Sequence, residues 1–232
     1  MVTSKTGIKD ISFQVIPTEA LSSDDLVRVR QLFNETYHQA NYSYLEKSFK
    51  QLRYISFADY RGELVGFGVA DAVETILPRM ADPQIVLLGG ICCIASEFRR
   101  LGLFTELEKM SIEASDMMRP APQYLVCGRM AHPASFRVIS QTPAVIPKAG
   151  VRLSKWQQEI GLKVAELYGV KIDPEMLVVI GDGAPCGYPK VKSEVSEEEW
   201  LPFKAVNRDQ GDSLLGITWL LNIPPGWIET NG

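Results

Sequence analysis

The spacing of apolar residues changes several times along this chain, and each change marks an element. Residues 11–17, ISFQVIP, alternate apolar and polar, the period of a strand, and Pro17 closes the run. Ser22-Ser23-Asp24-Asp25 supplies a helix start with acidic residues in the first turn, and Leu26, Val29, Phe33 and Tyr37 follow at helical spacing. Leu45, Phe49 and Leu52 predict a second, short helix over 43–52. Residues 54–60 and 63–75 read as a hairpin around Arg61-Gly62, where glycine takes the positive φ of a tight turn. In its second arm Val65, Phe67, Val69, Asp71 and Val73 share one face, while Gly66, Gly68, Ala70, Ala72 and Glu74 share the other. That second face is nearly bare, so either a helix or ligand packs close against it or the strand bulges at a glycine.

The chain is organised around residues 84–118. Ile85, Val86, Leu87, Leu88, Ile91, Cys92, Cys93 and Ile94 form an apolar run too short to cross a bilayer and rich in β-branched residues, which reads as a buried strand. Gly89-Gly90 in its middle invites a bulge that would splay it from a neighbour. From Leu103 the apolar positions become Leu103, Leu107, Met110, Ala114 and Met117, one face of a helix. Between strand and helix lies Glu97-Phe98-Arg99-Arg100-Leu101-Gly102. Unpaired N–H groups and partial positive charge at a helix N-terminus, next to arginines, suit a phosphate.

Beyond Arg119-Pro120-Ala121-Pro122 come a strand at 124–129, a helix opened by His132-Pro133, and an ordered loop at 143–147. A capped helix starts at Ser154, with Trp156, Ile160, Val164 and Leu167 on one face. Short buried strands are expected at 176–180 and 214–221. The turn-rich stretch 181–189 lacks a nucleotide-loop pattern, the acidic run 193–199 reads as solvated surface, and 223–232 reads as a Pro/Gly-rich tail. Strands and helices in this order make a mixed sheet flanked by helices, an α/β (α+β) fold over 1–232 as one domain.

Composition narrows the function. The 232 residues are 46% hydrophobic with a net charge of -4, enough for one well-buried domain and a poor match to a duplex-binding protein. Met1 to Asp10 carries no apolar targeting segment, and no apolar run approaches the ~20 residues of a membrane span, so a cytoplasmic protein is expected, with no nucleic-acid or membrane partner. The four cysteines show no C-x-x-C, and Cys92 or Cys93 as a nucleophile is disfavoured because neither sits beside a His or a helix N-terminus. With only His38 and His132, no metal site is expected.

Arg99-x-x-Gly102 at a strand-to-helix turn resembles the acyl-CoA pyrophosphate loop of the GNAT superfamily of N-acetyltransferases, Q/R-x-x-G-x-G/A, with Phe104 in place of the last small residue. The likeness covers about residues 10–142, and 143–232 adds a helix and final strands to the GNAT-like acyl-CoA N-acyltransferase fold. It implies that Arg99, Arg100, Leu101, Gly102, Leu103, Phe104 and Thr105 hold the pyrophosphate of acetyl-CoA or another acyl-CoA. Main-chain groups of Cys92, Cys93, Ile94 and Ala95 would then bond the pantetheine arm in a V between the central strands. Phe104 either narrows the approach to the pyrophosphate or begins the helix core. Tyr37, Tyr42 and Tyr44 border the acceptor pocket by the same resemblance, or else anchor a helix corner. Glu74 and His132 are the candidate bases. Glu74 has a plain alternative as a solvated strand end, and His132 as a helix cap or surface residue. The family's tyrosine acid falls near Ile139 or Ser140, where this chain has none.

The expected function is acyl transfer, acetyl in the first instance, from a CoA thioester to the amine of a small molecule or peptide, and a homodimer is left open. The alternatives are an enzyme of the same fold acting on an acyl thioester without N-acyl transfer, such as a decarboxylase on an acyl carrier, and a non-catalytic binding protein.

Overall fold

The computed structural model describes residues 10–117, 119–191 and 194–228. In order the elements are β1 (Ile11–Pro17), α1 (Ser23–Thr36), β2 (Tyr37–His38), α2 (Tyr42–Gln51), β3 (Tyr54–Tyr60), β4 (Glu63–Thr75), β5 (Gln84–Ile94), α3 (Leu103–Glu113), β6 (Tyr124–Met130) and α4 (Pro133–Ser140). The remainder comprises α5 (Lys155–Leu167), β7 (Ile172–Asp173), β8 (Val178–Val179), β9 (Tyr188–Pro189), α6 (Glu197–Trp200) and β10 (Ser213–Leu220). Eight strands form one mixed sheet in the order β1-β3-β4-β5-β6-β10-β8-β7, in which β5 and β6 run parallel and the other pairs antiparallel. The strands β2 and β9 pair separately.

Local chemistry sets most of these boundaries. Ser22 and Ser154 both form capping boxes, with Asp25 and Gln157 returning a bond to the cap backbone, so α1 and α5 start where the polar residues predict. The hairpin turns on Arg61 and Gly62, both at positive φ, the backbone of a tight two-residue turn.

The bare face of β4 is covered by α3. A Cβ added at Gly66 or Gly68 would stand 3.2 or 3.0 Å from the Leu107 side chain, so the helix lies almost on the strand backbone. Ser56 donates to the Leu107 carbonyl at 2.7 Å, and Ser111 donates to the Gly68 carbonyl at 3.3 Å. The buried face of α3 is therefore Leu103, Leu107 and Ser111, not the predicted path through Met110 and Ala114, and Met117 lies beyond the helix end. A small hydroxyl with a carbonyl partner permits an approach that a longer apolar side chain would block.

On the opposite face α1, α2 and α5 cover the main core, which includes Phe33, Leu45, Leu52, Phe67, Leu88, Ile160 and Tyr168. The expected tail is part of that core. Trp227 is fully buried, donates its indole N–H to the Ala144 carbonyl at 2.7 Å, and meets Trp156 and Trp219 edge-on. The expected solvated acidic run also has a structural member. Glu199 pairs with Arg137 of α4, and that contact, with the Ser196 backbone N–H, holds its carboxyl down at about 2. Ser193, residues 1–9 and residues 229–232 lie outside the described residues.

Candidate active site

The site forms where two parallel strands part. The ladder between β5 and β6 runs from Ile85↔Tyr124 to Gly89↔Gly128 and stops there, although β5 continues to Ile94 and β6 to Met130. The cause is the bulge foreseen at Gly89-Gly90. Across β4, Gly68 pairs with Cys92 and Ala70 with Gly89, so β5 carries one residue more than β4 over that interval. Only glycine fits at the bulge, since a Cβ on Gly90 would lie 2.5 Å from Leu52 Cδ1 and 2.6 Å from the Val69 carbonyl oxygen. A cavity of about 520 Å³ occupies the fork.

One end of the cavity meets the start of α3, where Phe104 and Thr105 line it. Gly102 is the N-cap, at φ 83°, and no side chain caps the helix. The first N–H groups of α3 therefore have no intrahelical acceptor and face the mouth with the positive end of the helix dipole. Arg100 also sits at positive φ. Arg99 is committed elsewhere, donating to the carbonyls of Ile94 and Lys190, so it holds the turn in shape instead of presenting its guanidinium. Phe104 is 37% exposed at the mouth, and Leu103 and Leu107 take the core positions, which removes the reading of Phe104 as a core anchor. Of the four residues expected beside the pantetheine, Cys92 lines the cavity, while Cys93 is buried away from it; Ile94 and Ala95 pack against the small core cluster that contains Leu103 and Leu107. Burial raises the Cys92 and Cys93 thiols, Cys93 beyond the range of a reactive thiolate.

The other end holds Tyr37 and Tyr44. Tyr37 donates to the Cys92 carbonyl at 3.4 Å. Tyr42 is not brought there: it is 43% exposed, beneath the guanidinium of Arg30. Neither candidate base reaches the cavity. Glu74 sits opposite Ile85, at the end of β4 remote from the fork, and is ion-paired with Arg119. The face it shares with Gly66 and Gly68 is filled by α3, so no open space leads from it to the site. His132 caps α4, its Nδ1 accepting the Ala134 N–H at 3.1 Å, and its ring stacks on Tyr188 and meets Trp200 edge-on. Burial and the nearby Arg208 and Arg137 keep it below its ordinary value, so it is neutral and its accepting nitrogen is already used.

Three residues that sequence reasoning passed over complete the site. Glu108, one turn into α3, lines the cavity beside Gly89, and burial pushes its carboxyl up to about 8. Its signal was present as a carboxylate next to the buried Leu107, but helical spacing alone does not say that this side faces a cleft. Arg129 lines the inner end. Tyr168, at the end of α5, places its hydroxyl between the carbonyls of Gly89 and Cys127. Among the described residues no group of three or more His, Cys, Asp or Glu is placed to hold a metal, and no helix is long and apolar enough to cross a membrane.

No family model matches the chain, and no curated protein does. Among solved structures it is similar to the ribosomal-protein-S18-alanine N-acetyltransferase of Escherichia coli, with TM-score 0.42 and 7% identity over 93% of this chain and 98% of that one. It is also similar to the diaminobutyrate acetyltransferase of Paenibacillus lautus in complex with its substrate and coenzyme A, with TM-score 0.39 and 17% identity over 93% and 98%. An aminoglycoside acetyltransferase from an uncultured soil metagenomic sample gives TM-score 0.38 and 10% identity over 56% and 84%. Likenesses at these scores decide nothing about the site; the strand order and the fork do. Apart from the short β2, the elements from β1 to α4 follow the order β, α, α, β, β, β, α, β, α with a V between β5 and β6, as the resemblance to the GNAT superfamily implies.

Proposed function

We propose that this protein is a CoA-dependent N-acyltransferase that moves an acyl group, acetyl in the first instance, from a thioester to the amine of a small molecule or peptide. One observation carries the reading: the end of the β5–β6 ladder at Gly89↔Gly128 opens a cavity that leads from the uncapped start of α3 to Tyr37 and Tyr44.

The residues fit a phosphate-bearing thioester. Leu103, Phe104 and Thr105 offer unpaired N–H groups to the pyrophosphate, and Gly102 at φ 83° leaves the approach free of a side chain. Residues 90–92 of β5 have no strand on their β6 side, so their backbone groups can bond an extended amide chain as a neighbouring strand would. When bound, an acyl-CoA supplies an acyl group activated by a thiol leaving group.

The rest is done by the chain. Ile91, Ile112, Val126 and Ile139 line the fork and keep water from it. Glu108 carries a proton at neutral pH, because burial pushes its pKa up to about 8, and as an acid lining the cavity it can give that proton to the departing thiolate and recover one from the amine nitrogen after its attack. It would thereby take the part that the resemblance assigns to a tyrosine near Ile139 and Ser140. An amine with a modest pKa, or one bound beside the positive charge of Arg129, reaches the fork neutral.

Titration calorimetry with CoA and acetyl-CoA, followed by thiol-release assays over a panel of amines, tests the reading. Saturable CoA binding and turnover of at least one amine are expected. Absence of CoA binding would overturn it, and binding without amine turnover would leave only a CoA-binding protein of this fold.

A further inference from the structure

Among the described residues six arginines are ion-paired with carboxylates: Arg28, Arg30, Arg53, Arg79, Arg119 and Arg137. Arg129 is not. Among the described residues it makes no ion pair, although it lies at the inner end of the cavity. Among the described residues its one hydrogen bond is from Nη1 to the Gln51 side-chain oxygen at 3.2 Å, and its buried Nε finds no acceptor there. The guanidinium carbon sits 5.1 Å from the ring centre of Tyr44 and 6.0 Å from that of Tyr168, so much of its surroundings is aromatic. A cation so placed, with donors unused and no counter-ion, is costly to keep unless something else supplies the acceptors.

The missing partner belongs in the cavity. Arg129 and Cys127 stand two apart on β6 and so share a face, the one covered by α1, α2 and α5. The cavity's carboxylates, Glu108 and Glu113, belong to α3, which packs against the opposite face of the sheet. Both ends of the cavity favour an anion. The start of α3 takes phosphate on one side, and a guanidinium fork waits on the other, beyond the point where the thioester carbonyl would meet an amine.

We infer that Arg129 receives a carboxylate of the acceptor, so that the acceptor class is amines that carry a carboxylate, such as amino acids. This deepens the acyltransferase reading and rests on it. The planar guanidinium matches a carboxylate in two parallel hydrogen bonds, which fixes the acceptor's orientation as well as its charge. Rings at Tyr44 and Tyr168 hold the fork in place and exclude water from the pair.

Matched pairs of amines test this: lysine against cadaverine, histidine against histamine, tyrosine against tyramine, glutamate against 4-aminobutyrate as a carboxylate-position control, each with acetyl-CoA and the full chain. The carboxylate-bearing member of at least one of the three decarboxylated pairs should be used about a hundredfold better in kcat/KM. The variant R129M should lose that preference to within about threefold while binding CoA as before, and R129K should recover part of it. In the presence of CoA the same amino acids should raise the melting temperature of the native chain and not that of R129M. With its uncompensated charge removed, ligand-free R129M should melt no lower than the native chain.

A preference for the decarboxylated amines, or a carboxylate preference intact in R129M, would overturn the inference. So would a lower melting temperature in R129M with ligand selectivity unchanged, which marks a structural arginine. If succinyl-CoA is preferred to acetyl-CoA and R129M abolishes that preference, the carboxylate belongs to the acyl group and the acceptor assignment falls. Loss of CoA binding in the native chain would instead sink the acyltransferase reading itself, and calorimetry separates the two failures.

Discussion

The hydroxyl of Tyr168 lies 2.8 Å from the carbonyl oxygen of Gly89, and 3.1 Å away is the carbonyl of Cys127 on the neighbouring strand. These carbonyls belong to the last rungs of the parallel ladder before β5 and β6 part. Tyr168 ends α5, a helix outside the minimal fold, and is completely buried. One proton shared across two strands thus pins the apex of the fork on the face away from α3. Tyr168→Phe removes that donor and should cost about 1–3 kcal/mol. Thermal melting should fall by about 2–10 °C, with weaker CoA binding. An unchanged melting point would show that the bulge alone holds the fork open.

Gly102→Val tests the turn. At φ 83° a β-branched residue is strained by about 1–2 kcal/mol, and its side chain obstructs the first N–H groups of α3. Calorimetry should show CoA affinity down at least about tenfold, a larger loss than that of folding. Phe104→Ala is the companion. Because Phe104 is part-exposed and outside the core, this change should shift stability by less than about 0.5 kcal/mol and alter CoA affinity alone.

Glu108→Gln has a stability arm and an activity arm. The folded-state pKa, about 8, stands above the ordinary 4.5, so folding favours the protonated form. The stabilising contribution is fully present below about pH 4.5 and is lost as the pH rises through about 8. Glutamine does not titrate and escapes that loss. Since the side chain opens on the cavity, water moderates the effect, and the variant should gain on the order of 1–2 kcal/mol over the native chain between pH 5 and pH 9. Turnover should show an alkaline limb near pH 8 that the variant lacks, with kcat lowered by roughly 100-fold or more. A limb that persists in the glutamine variant would take the acid role from Glu108.

Glu74→Gln and His132→Ala should leave kcat/KM within about threefold. Glu74 loses an exposed ion pair worth less than about 1 kcal/mol, and His132 loses a helix cap worth roughly 0.5–2 kcal/mol. A fall in turnover of about 100-fold in either, with melting and CoA affinity unchanged, would return it to the reaction.

Trp227→Ala should be among the most damaging changes, about 3–5 kcal/mol, because it empties a fully buried site and orphans the Ala144 carbonyl. Denaturant unfolding would measure it. A loss below about 1 kcal/mol would mean that the C-terminal strand segment closes over the gap.

Much of the fold was written locally. Ser22 and Ser154 cap their helices through residues three positions on, and Arg61-Gly62 turns the hairpin through its own φ angles; none of these depends on distant partners. The bulge at Gly89-Gly90 and the N-cap at Gly102 were legible for the same reason, since a backbone that needs glycine shows it in the sequence. The predicted resemblance in residues 99–102 follows from that turn.

Tertiary structure alone decided which side chains meet. Strand alternation assigned Glu74 to the small-residue face of β4 but could not say that α3 fills that face or that the fork lies at the other end of the strand. On α2, Tyr44 reaches the cavity while Tyr42 does not, because a helix turns each residue by about 100° and only the packing of α2 on the sheet fixes the zero of that rotation. Arg129 reads in sequence as the polar end of a strand. It becomes a cation in a cleft, with no ion pair among the described residues, only when α2 and α5 bring Gln51, Tyr44 and Tyr168 around it, from positions 78, 85 and 39 residues away by their numbers. Periodicity carries the direction of a side chain within its own element, and the contacts that give it a function are set by pairings between elements that no local pattern encodes.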